Sequence, residues 1–274
     1  MLVMMFVMLF PFWYSVVGSF NDGSDYIRGG VYFWPREFTL SNYKAVFRDK
    51  TILSSFLVTI LKSLIGSLGS LLVTSLAAYA ISRKQLKGKK FYTPFLMLPM
   101  YFGGGLIPFF VLIKDMGLYD NFLVYIIPGL FSVWNMIIAK SFMKGIPFEL
   151  TEAAKVDGAG DFYIFWKIIL PTAKPLIATI GLFTALTYWN DWYNCMLFMS
   201  TGGTWNLQYT LQNILNSSEA LKRIAAMTGM QVGQVPTEGL KLAMTVIATG
   251  PIILLYPFLQ KYFVKGMTIG AVKG

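Results

Sequence analysis

Acidic and small side chains stand together in one polar stretch of this chain, ELTEAAKVDGAGDFYIFWKIILP, residues 149–171. The chain contains no His and one Cys, Cys195, so it cannot build a His/Cys metal site, a catalytic triad with an imidazole base or an internal disulfide. The residue types offer contact with another surface instead. Glu152 supplies negative charge, while Ala153 and Ala154 leave room for a partner to approach a helix backbone closely. The stretch therefore predicts a docking helix.

Turn and cap signals divide residues 147–171, which we call the polar segment, into two short helices. Pro147 fits the first turn, and Gly158 is expected to end the first helix. Asp161 is expected to cap the second helix, and Pro171 to end it. Four apolar side chains follow the spacing of a single helical stripe, namely Phe162, Phe165, Trp166 and Ile169. Lipid, the protein interior and a partner are equally compatible with that stripe.

The overall composition is that of a membrane protein. Of 274 residues, 55% are hydrophobic and 13% are charged, against roughly 25% charged in soluble domains. About 20 apolar residues cross the hydrocarbon layer as a helix. Six runs reach this length and predict an all-α integral membrane protein with one transmembrane domain over residues 1–274; they are 1–21, 51–82, 91–113, 121–139, 172–199 and 242–260. The first run lacks the basic start and small-residue exit of a cleaved signal peptide.

Lys and Arg are distributed unevenly over the loops. Residues 83–90, residues 140–174 and the tail after residue 260 hold thirteen basic residues against four acids, whereas the other loops hold nine of each. Since positively charged loops stay in the cytoplasm, the polar segment and both termini are expected on the inner face of the membrane. The net charge of +10 is therefore interpreted as a topology signal and not as a nucleic-acid-binding surface.

The chain contains no recognisable energy source. The glycines at 103–105 and 202–203 lack the following Lys-Ser/Thr of a phosphate-binding loop. Lys62, Asp115 and Asp191 are expected near the outer interface, where Lys62 would extend its ammonium group to water, so no proton relay is predicted. Any energy for transport must come from another subunit.

Helix-breaking residues and polar–aromatic pairs mark a candidate translocation path. Residues 103–105, with prolines on either side, are expected to break the third run, and Pro128–Gly129 the fourth. Backbone groups freed in this way must face protein or a watery cavity. The side chains suited to sugar faces and hydroxyls are Trp134, Asn135, Trp189, Asn190 and Asp191. Ordinary proline kinks and an interfacial aromatic belt explain the same residues.

One spacing in the polar segment resembles a family signature. Glu-Ala-Ala, a Gly after three residues and Ile-x-Leu-Pro after nine more are met by Glu152, Ala153, Ala154, Gly158, Ile168, Leu170 and Pro171. This resembles the cytoplasmic motif of the membrane subunits of ATP-binding-cassette (ABC) importers, in particular the maltose-type (type I) sugar permeases. The likeness extends to AAYAISR (77–83), WND (189–191) and FVKGMTIGAVKG (263–274). The last of these, with TEGLKLA (237–243), is similar to permeases for oligosaccharides from plant polysaccharides.

The resemblance implies a mechanism and a set of partners. The polar segment would contain a coupling helix, with Glu152 paired to a basic residue of an ATPase, Ala153 and Ala154 packed closely against it, and Gly158 at the bend. A second, homologous permease in a heterodimer, two ABC ATPase subunits carrying ATP and Mg, and an extracytoplasmic solute-binding protein would complete a carbohydrate importer of the bacterial plasma membrane. A helix at residues 210–215 would help to dock the binding protein.

Other interpretations of the sequence stay open. The polar segment has the composition of an amphipathic connector on the inner leaflet. The chain as a whole is compatible with a stand-alone secondary transporter or channel for a small solute, although inverted halves and mid-membrane charges are not evident. An intramembrane enzyme would need a charged or nucleophilic centre that the sequence does not suggest.

Overall fold

The computed structural model describes residues 1–200, 204–228 and 238–271, and side-chain packing is defined within these ranges except at 2, 221–228 and 255–271. Of the features used above, 202–203, 237 and 272–274 lie outside the described residues. The helices are α1 (Leu2–Ser19), α2 (Gly23–Ile27), α3 (Ser41–Arg48), α4 (Lys50–Ser82), α5 (Lys89–Tyr101), α6 (Leu106–Asp115), α7 (Val133–Lys144), α8 (Glu149–Val156), α9 (Asp161–Ile164), α10 (Leu170–Thr172), α11 (Lys174–Asn190), α12 (Tyr193–Phe198), α13 (Leu207–Thr228) and α14 (Glu238–Ala271). Two 3₁₀ turns, Phe122–Tyr125 and Ile127–Gly129, precede α7, and a π-helical turn, Phe165–Ile169, joins α9 to α10. The predicted all-α class is confirmed.

Only part of the chain forms straight membrane-length helices. Among the described residues, α4 alone is long and apolar enough to cross a bilayer as one helix. Three pairs meet the same test together but are bent: α5 with α6 by 113°, the 3₁₀ turns with α7 by 44°, and the α9–α10 region with α11 by 86°. The first apolar run forms a shorter helix. Six spans remain a prediction.

The predicted breaks in the third and fourth runs are confirmed. Pro94 and Pro99 lie inside α5 and do not end it, because the helix continues to Tyr101. The break comes after that residue, where Gly105 adopts a φ of 85° before α6 begins. This left-handed region is open to glycine at little cost. Pro128 and Gly129 form a 3₁₀ turn in place of an α-helix.

The chain divides into two compact units. Unit 1 comprises Met1–Thr59 and Asp191–Leu254, and unit 2 comprises Ile60–Asn190 and Leu255–Gly274. The core of unit 1 gathers side chains from α3, α4, α13 and α14, namely Val46, Ile52, Leu207, Leu211, Ala243, Met244 and Ala248. This apolar contact holds α13 and α14 against the helices of the N-terminal part of the unit.

Buried amides organise residues 19–42 of unit 1. The Asn42 amide donates to the carbonyls of Ser19 (3.0 Å) and Asn21 (2.9 Å). Asn21 in turn accepts from the backbone nitrogen of Arg36 at 2.7 Å and donates to the Asp25 carboxylate at 3.0 Å. The hydrogen bond from Asn21, and then the Arg36 ion pair, hold the pKa of Asp25 below its usual range.

Unit 2 builds its core around the polar segment. Buried side chains from α4, α7, α8, α9, the π-helical turn and α11 form one cluster, which includes Ala78, Met136, Ala139, Ala154, Ile164, Phe165, Ile169, Leu176 and Ile180. The polar segment is therefore packed against the spanning helices of its own unit. It is not a loop free in solvent.

A tyrosine joins α4, α11 and the 3₁₀ turns within unit 2. The phenol of Tyr188 donates to the carbonyl of Ile126 at 3.2 Å. Its ring fills the space left by two glycines, because a Cβ on Gly66 or Gly129 would lie 2.4 Å or 2.6 Å from Tyr188 atoms. Close approach, and not backbone conformation, requires glycine at these two positions.

Two expectations about the apolar runs are wrong. Lys62 does not extend to water, because its side chain is fully buried in unit 2 and its Nζ lies 4.9 Å from the centroid of the Tyr125 ring. The aromatic face attracts the ammonium group there. The fifth run is not one helix to residue 199, since α11 ends at Asn190 and α12 begins at Tyr193.

Candidate functional site

The first helix of the polar segment, α8, begins at Glu149 with Phe148 at its N-cap, so Pro147 lies before the helix and not in its first turn as predicted. Glu149 and Glu152 occupy its first turn and Lys155 its last, so each charge opposes the nearer pole of the helix dipole. Thr151 and Glu152 donate their backbone N–H groups to the Phe148 carbonyl at 2.9 and 3.1 Å. This eight-residue helix is thus stabilised at both ends.

Gly158 ends α8 through its backbone conformation. Its φ is +80°, its N–H donates to the Lys155 carbonyl at 3.0 Å, and the Ala159 N–H donates to the Ala154 carbonyl at 2.9 Å. These two bonds form the Schellman arrangement, which satisfies the last carbonyls of a helix. A Cβ at Gly158 would meet nothing within 4 Å, so conformation alone favours glycine.

The second helix differs from the prediction in its cap. Gly160 occupies the N-cap position, and Asp161 begins the helix without capping it. The carboxylate of Asp161 instead pairs with the Arg83 guanidinium from the end of α4. A partner distant in sequence therefore binds the side chain that a local interpretation assigns to the cap.

The predicted apolar stripe of the second helix is split by the π-helical turn. Phe165 and Ile169 are buried in the core of unit 2, whereas Phe162 and Trp166 are exposed. The turn includes one more residue than an α-helical turn, which rotates the side chains that follow. The assumption of a regular 3.6-residue period was wrong here.

The polar segment joins the next span at a sharp bend. The helix continues through Pro171 to Thr172, one residue further than predicted, and α11 then departs at 86°. Ala173, at the bend, is fully buried, and its N–H donates to the Ile169 carbonyl at 2.9 Å. The bend is thus packed and hydrogen-bonded.

Four residues, which we call the Arg83 clasp, connect the end of α4 to both helices of the polar segment: Tyr79, Arg83, Thr151 and Asp161. Arg83 donates to the Thr151 hydroxyl at 3.3 Å and pairs with the Asp161 carboxylate. The Arg83 guanidinium also lies 5.1 Å from the centroid of the Tyr79 ring, and the Tyr79 hydroxyl donates to the Asp161 carbonyl at 3.3 Å. The Arg83 side chain is only 13% exposed, whereas the Asp161 side chain is 63% exposed, so water screens their ion pair in part.

A second connection lies at the edge of the Arg83 clasp. Lys155, in the last turn of α8, donates to the Gln85 side-chain oxygen at 3.0 Å and lies 3.6 Å from the Asp161 carboxylate. These groups are exposed, so their energetic contribution is small. They nevertheless orient the C-terminal end of α8.

The signature residues fall on two faces. Glu152, Ala153, Gly158 and Pro171 are exposed, whereas Ile168 and Leu170 are half-buried. Ala154 differs from the expected docking surface, because it is 8% exposed and packs in the core of unit 2. The surface of α8 that is open to a partner contains Glu152, Ala153 and the 88% exposed Val156.

The Arg83 clasp was not predicted from the sequence. Arg83 was counted among the basic residues of a predicted inner loop and stands with Tyr79 in the AAYAISR stretch, but no contact was predicted for either residue or for Thr151. Arg83 directly follows a long apolar run, and such a residue is equally expected at any span end. No local signal distinguishes an arginine that faces water from one that holds a neighbouring helix.

The candidate path residues differ in burial and in the unit to which they belong. Trp134 is exposed, while Asn135 is buried and its backbone N–H donates to the hydroxyl of Ser132, the N-cap of α7, at 3.3 Å. Trp189 and Asn190 end α11 in unit 2, whereas Asp191 belongs to unit 1. There, the Asp191 carboxylate accepts from the Asn194 N–H at 3.1 Å. Asn135 and Asp191 therefore have structural contacts in this chain.

Comparison with known proteins gives a consistent result. The chain is 38% identical to protein LplC of Bacillus subtilis over 270 residues, covering 98% of this chain and 90% of that protein. It is 36% identical over 275 residues to the polygalacturonan/rhamnogalacturonan transport system permease protein YtcP of the same organism, covering 100% and 96%. A crystal structure of a bacterial ABC transporter involved in the import of the acidic polysaccharide alginate contains a chain of the same fold, with a TM-score of 0.84 and 29% identity over 95% of this chain and 92% of that one.

The family match covers most of the chain and includes the whole polar segment. The family described as binding-protein-dependent transport system inner membrane component matches residues 70–269. These residues contain the Arg83 clasp, the broken helices and the bend at Ala173. The chain belongs to the family of inner membrane components of binding-protein-dependent transport systems.

Proposed function

We propose that the exposed face of α8, centred on Glu152 and Ala153, is the surface through which an ATPase subunit drives this chain. The chain is the membrane permease subunit of an ABC carbohydrate importer. The Arg83 clasp is the observation that carries the coupling role. Because it fixes α8 to the end of α4, a displacement of the exposed face is passed to a spanning helix.

The polar segment has the stiffness that this role requires. A flexible loop would absorb a push, whereas α8 is closed by the Gly158 arrangement and anchored by buried Thr151 and Ala154. At its other end the segment continues through the packed bend at Ala173 into α11. Both α4 and α11 thus receive the motion.

The proposed assembly contains a second, homologous permease, two ATPase subunits that hold ATP and Mg, and a solute-binding protein on the outer face. The family description, which names dependence on a binding protein, supports the last of these partners. The uneven loop charges support cytoplasmic termini in the bacterial plasma membrane. Closure of the ATPases on ATP would draw the coupling helices together and favour the outward-open state, and hydrolysis would reverse it.

The proposed cargo is an oligosaccharide derived from a plant polysaccharide. The support is the name of the YtcP relative and the likeness to a transporter for alginate, an acidic polysaccharide. Within unit 2, Trp134 and Asn190 are the exposed members of the predicted path. An aromatic face and an amide are suited to the C–H faces and hydroxyls of a sugar.

Cysteine substitution tests the location and the partner of α8. The native Cys195 is buried, so background labelling is low. Ala153→Cys is compared with Ala45→Cys, because both alanines are exposed and lie in eight-residue helices. Residue 153 is expected on the cytoplasmic side of the membrane and residue 45 on the outer side. A membrane-impermeant maleimide should label residue 45 in intact cells and residue 153 only in inverted vesicles, and crosslinking from residue 153 should capture an ATPase subunit. Labelling of residue 153 in intact cells, or crosslinks from it only to phospholipid, would overturn the proposal.

Charge reversal tests the contact itself. Glu152→Lys should abolish co-purification of the ATPase. Glu149→Lys is the matched control, since both acids lie in the first turn of α8, where a negative charge interacts favourably with the helix dipole. Equal loss in both variants would show that helix stability, and not contact at Glu152, is responsible. Transport that persists without any ATPase would favour a secondary transporter or channel.

A further inference from the structure

A basic cavity lies beside the polar segment in unit 2. It has a volume of about 570 Å³ and is bordered by the end of α4, the first residue of α5, the end of α7 and the start of α8. Four cationic side chains line it, with one acid, Glu149; the cations are Arg83, Lys84, Lys89 and Lys144. Cavities of this size hold small ligands or parts of larger ones.

The positive charge of the cavity is not balanced by the protein around it. The carboxylate of Asp161 pairs with Arg83, but in the part of the chain that the structure describes no carboxylate pairs with the other three lysines. Lys89 donates to the carbonyls of Ser82 and Arg83 at 3.2 and 2.9 Å, and Lys84 lies 4.9 Å from the centroid of the Phe148 ring. These contacts hold two ammonium groups at the cavity without neutralising them. An anion is the complementary ligand.

The surroundings of the cavity indicate a membrane lipid as the source of that anion. Apolar helices end or begin at its border, which places it at the inner surface of the bilayer in the predicted topology. Directly after Lys89, the exposed rings of Phe91, Tyr92 and Phe95 extend along α5, and Phe91 and Phe95 stack at 5.7 Å. A lipid offers a phosphate to the lysines and an acyl chain to these rings.

We propose that this cavity binds the phosphate of an anionic phospholipid of the inner leaflet, with Lys84, Lys89 and Lys144 as its cationic contacts. Anionic lipids of the cytoplasmic leaflet are recognised by basic pockets between membrane helices. A lipid bound there contacts α4, α5, α7 and α8 together, and so stabilises the side of the polar segment opposite its exposed face. The proposal concerns a different ligand from the ATPase and is tested without one.

Binding of short-chain lipid to the purified full-length chain in detergent tests the proposal. The probes are dioctanoyl phosphatidylglycerol, dioctanoyl phosphatidylcholine and glycerol 3-phosphate, titrated at about 0.15 M salt, where charges more than about 8 Å apart are largely screened. The double variant Lys84→Gln/Lys144→Gln is compared with Lys87→Gln/Lys90→Gln. Both remove two exposed charges, but only the first pair lines the cavity.

Phosphatidylglycerol should bind the unmodified chain at least tenfold more tightly than phosphatidylcholine. Because each cation near an anionic lipid is worth roughly fivefold in affinity, the cavity variant should bind phosphatidylglycerol about 30-fold more weakly, and the control less than threefold. Lys84→Arg/Lys144→Arg should restore binding, which shows that the fold is intact. Equal weakening in the two glutamine variants would overturn the site, and equal affinity for glycerol 3-phosphate would overturn the lipid as its source.

Discussion

Replacement of Gly158 by alanine isolates the energy of the left-handed residue that ends α8. Gly158 has a φ of +80° and Gly160 a φ of −72°, and a Cβ at either position meets nothing within 4 Å. The two substitutions therefore remove the same conformational freedom from the unfolded chain and create no clash. Gly160→Ala weakens the N-cap of α9 but leaves α8 unchanged. For the opening of α8, the difference between the two variants is therefore the cost of placing an L-residue in the left-handed region, about 1–2 kcal/mol. At about 1.4 kcal/mol per tenfold, the two variants should differ by a factor of roughly 5–30 in the local opening of α8.

Hydrogen exchange, measured by mass spectrometry on peptides covering residues 149–160, measures the difference in local opening between the two variants. Gly158→Ala should exchange roughly 5–30 times faster than Gly160→Ala, and Gly158→Asn should lie between them because asparagine tolerates the left-handed region. A coupling defect should accompany the faster exchange. Equal protection in the two alanine variants would refute the reasoning, since it would mean that the conformation of Gly158 does not hold the end of α8.

Three further predictions concern the contacts around these elements. Arg83→Lys should reduce the substrate-stimulated ATPase activity of the assembled importer at least fivefold, because a lysine ammonium group lacks the planar set of donors with which the guanidinium contacts both Thr151 and Asp161. The control Lys87→Gln should leave this activity unchanged. Gly239→Ala should lower the thermal unfolding midpoint, since the new Cβ would lie 2.4 Å from the side-chain nitrogen of Asn42, which is buried and makes two hydrogen bonds. The control Gly250→Ala, on the same helix, should raise the midpoint slightly, because a Cβ there meets nothing within 4 Å. The lowered pKa of Asp25 means that its carboxylate stabilises the folded protein above about pH 4, and this stabilisation should be lost as the pH falls below that value. Asp25→Asn should therefore make the thermal unfolding midpoint depend less on pH in this range. An unchanged dependence would contradict the role of the Asp25 ion pair.

Features set by neighbouring residues in the sequence were predictable. Gly158 ends α8, Pro128–Gly129 interrupts the fourth run, and the glycines at 103–105 break the third, as expected. In each case a residue with unusual backbone freedom or a missing N–H decides the local structure. The helical class and the membrane character follow equally from composition and from apolar runs of sufficient length.

Features that depend on distant partners were not predictable. Asp161 would cap its helix if Arg83 were not beside it, and Lys62 would extend to water if the Tyr125 ring were not packed over it. The position of Ala154 depends in the same way on the helices that cover it. The π-helical turn at Phe165 has no signature in the residues themselves, and Phe165 and Trp166 differ in burial within it.

If the polar segment transmits motion as proposed, the 86° bend at Ala173 would convert a displacement along the membrane surface into a tilt of α11. With 17 residues, α11 is about 25 Å long, so a tilt of about 5° at its base carries its far end through about 2 Å. In the proposed coupling, a small displacement of the polar segment would therefore move the end of α11 near which Tyr188 lies. Straightening the bend would remove this conversion of a lateral displacement into a tilt.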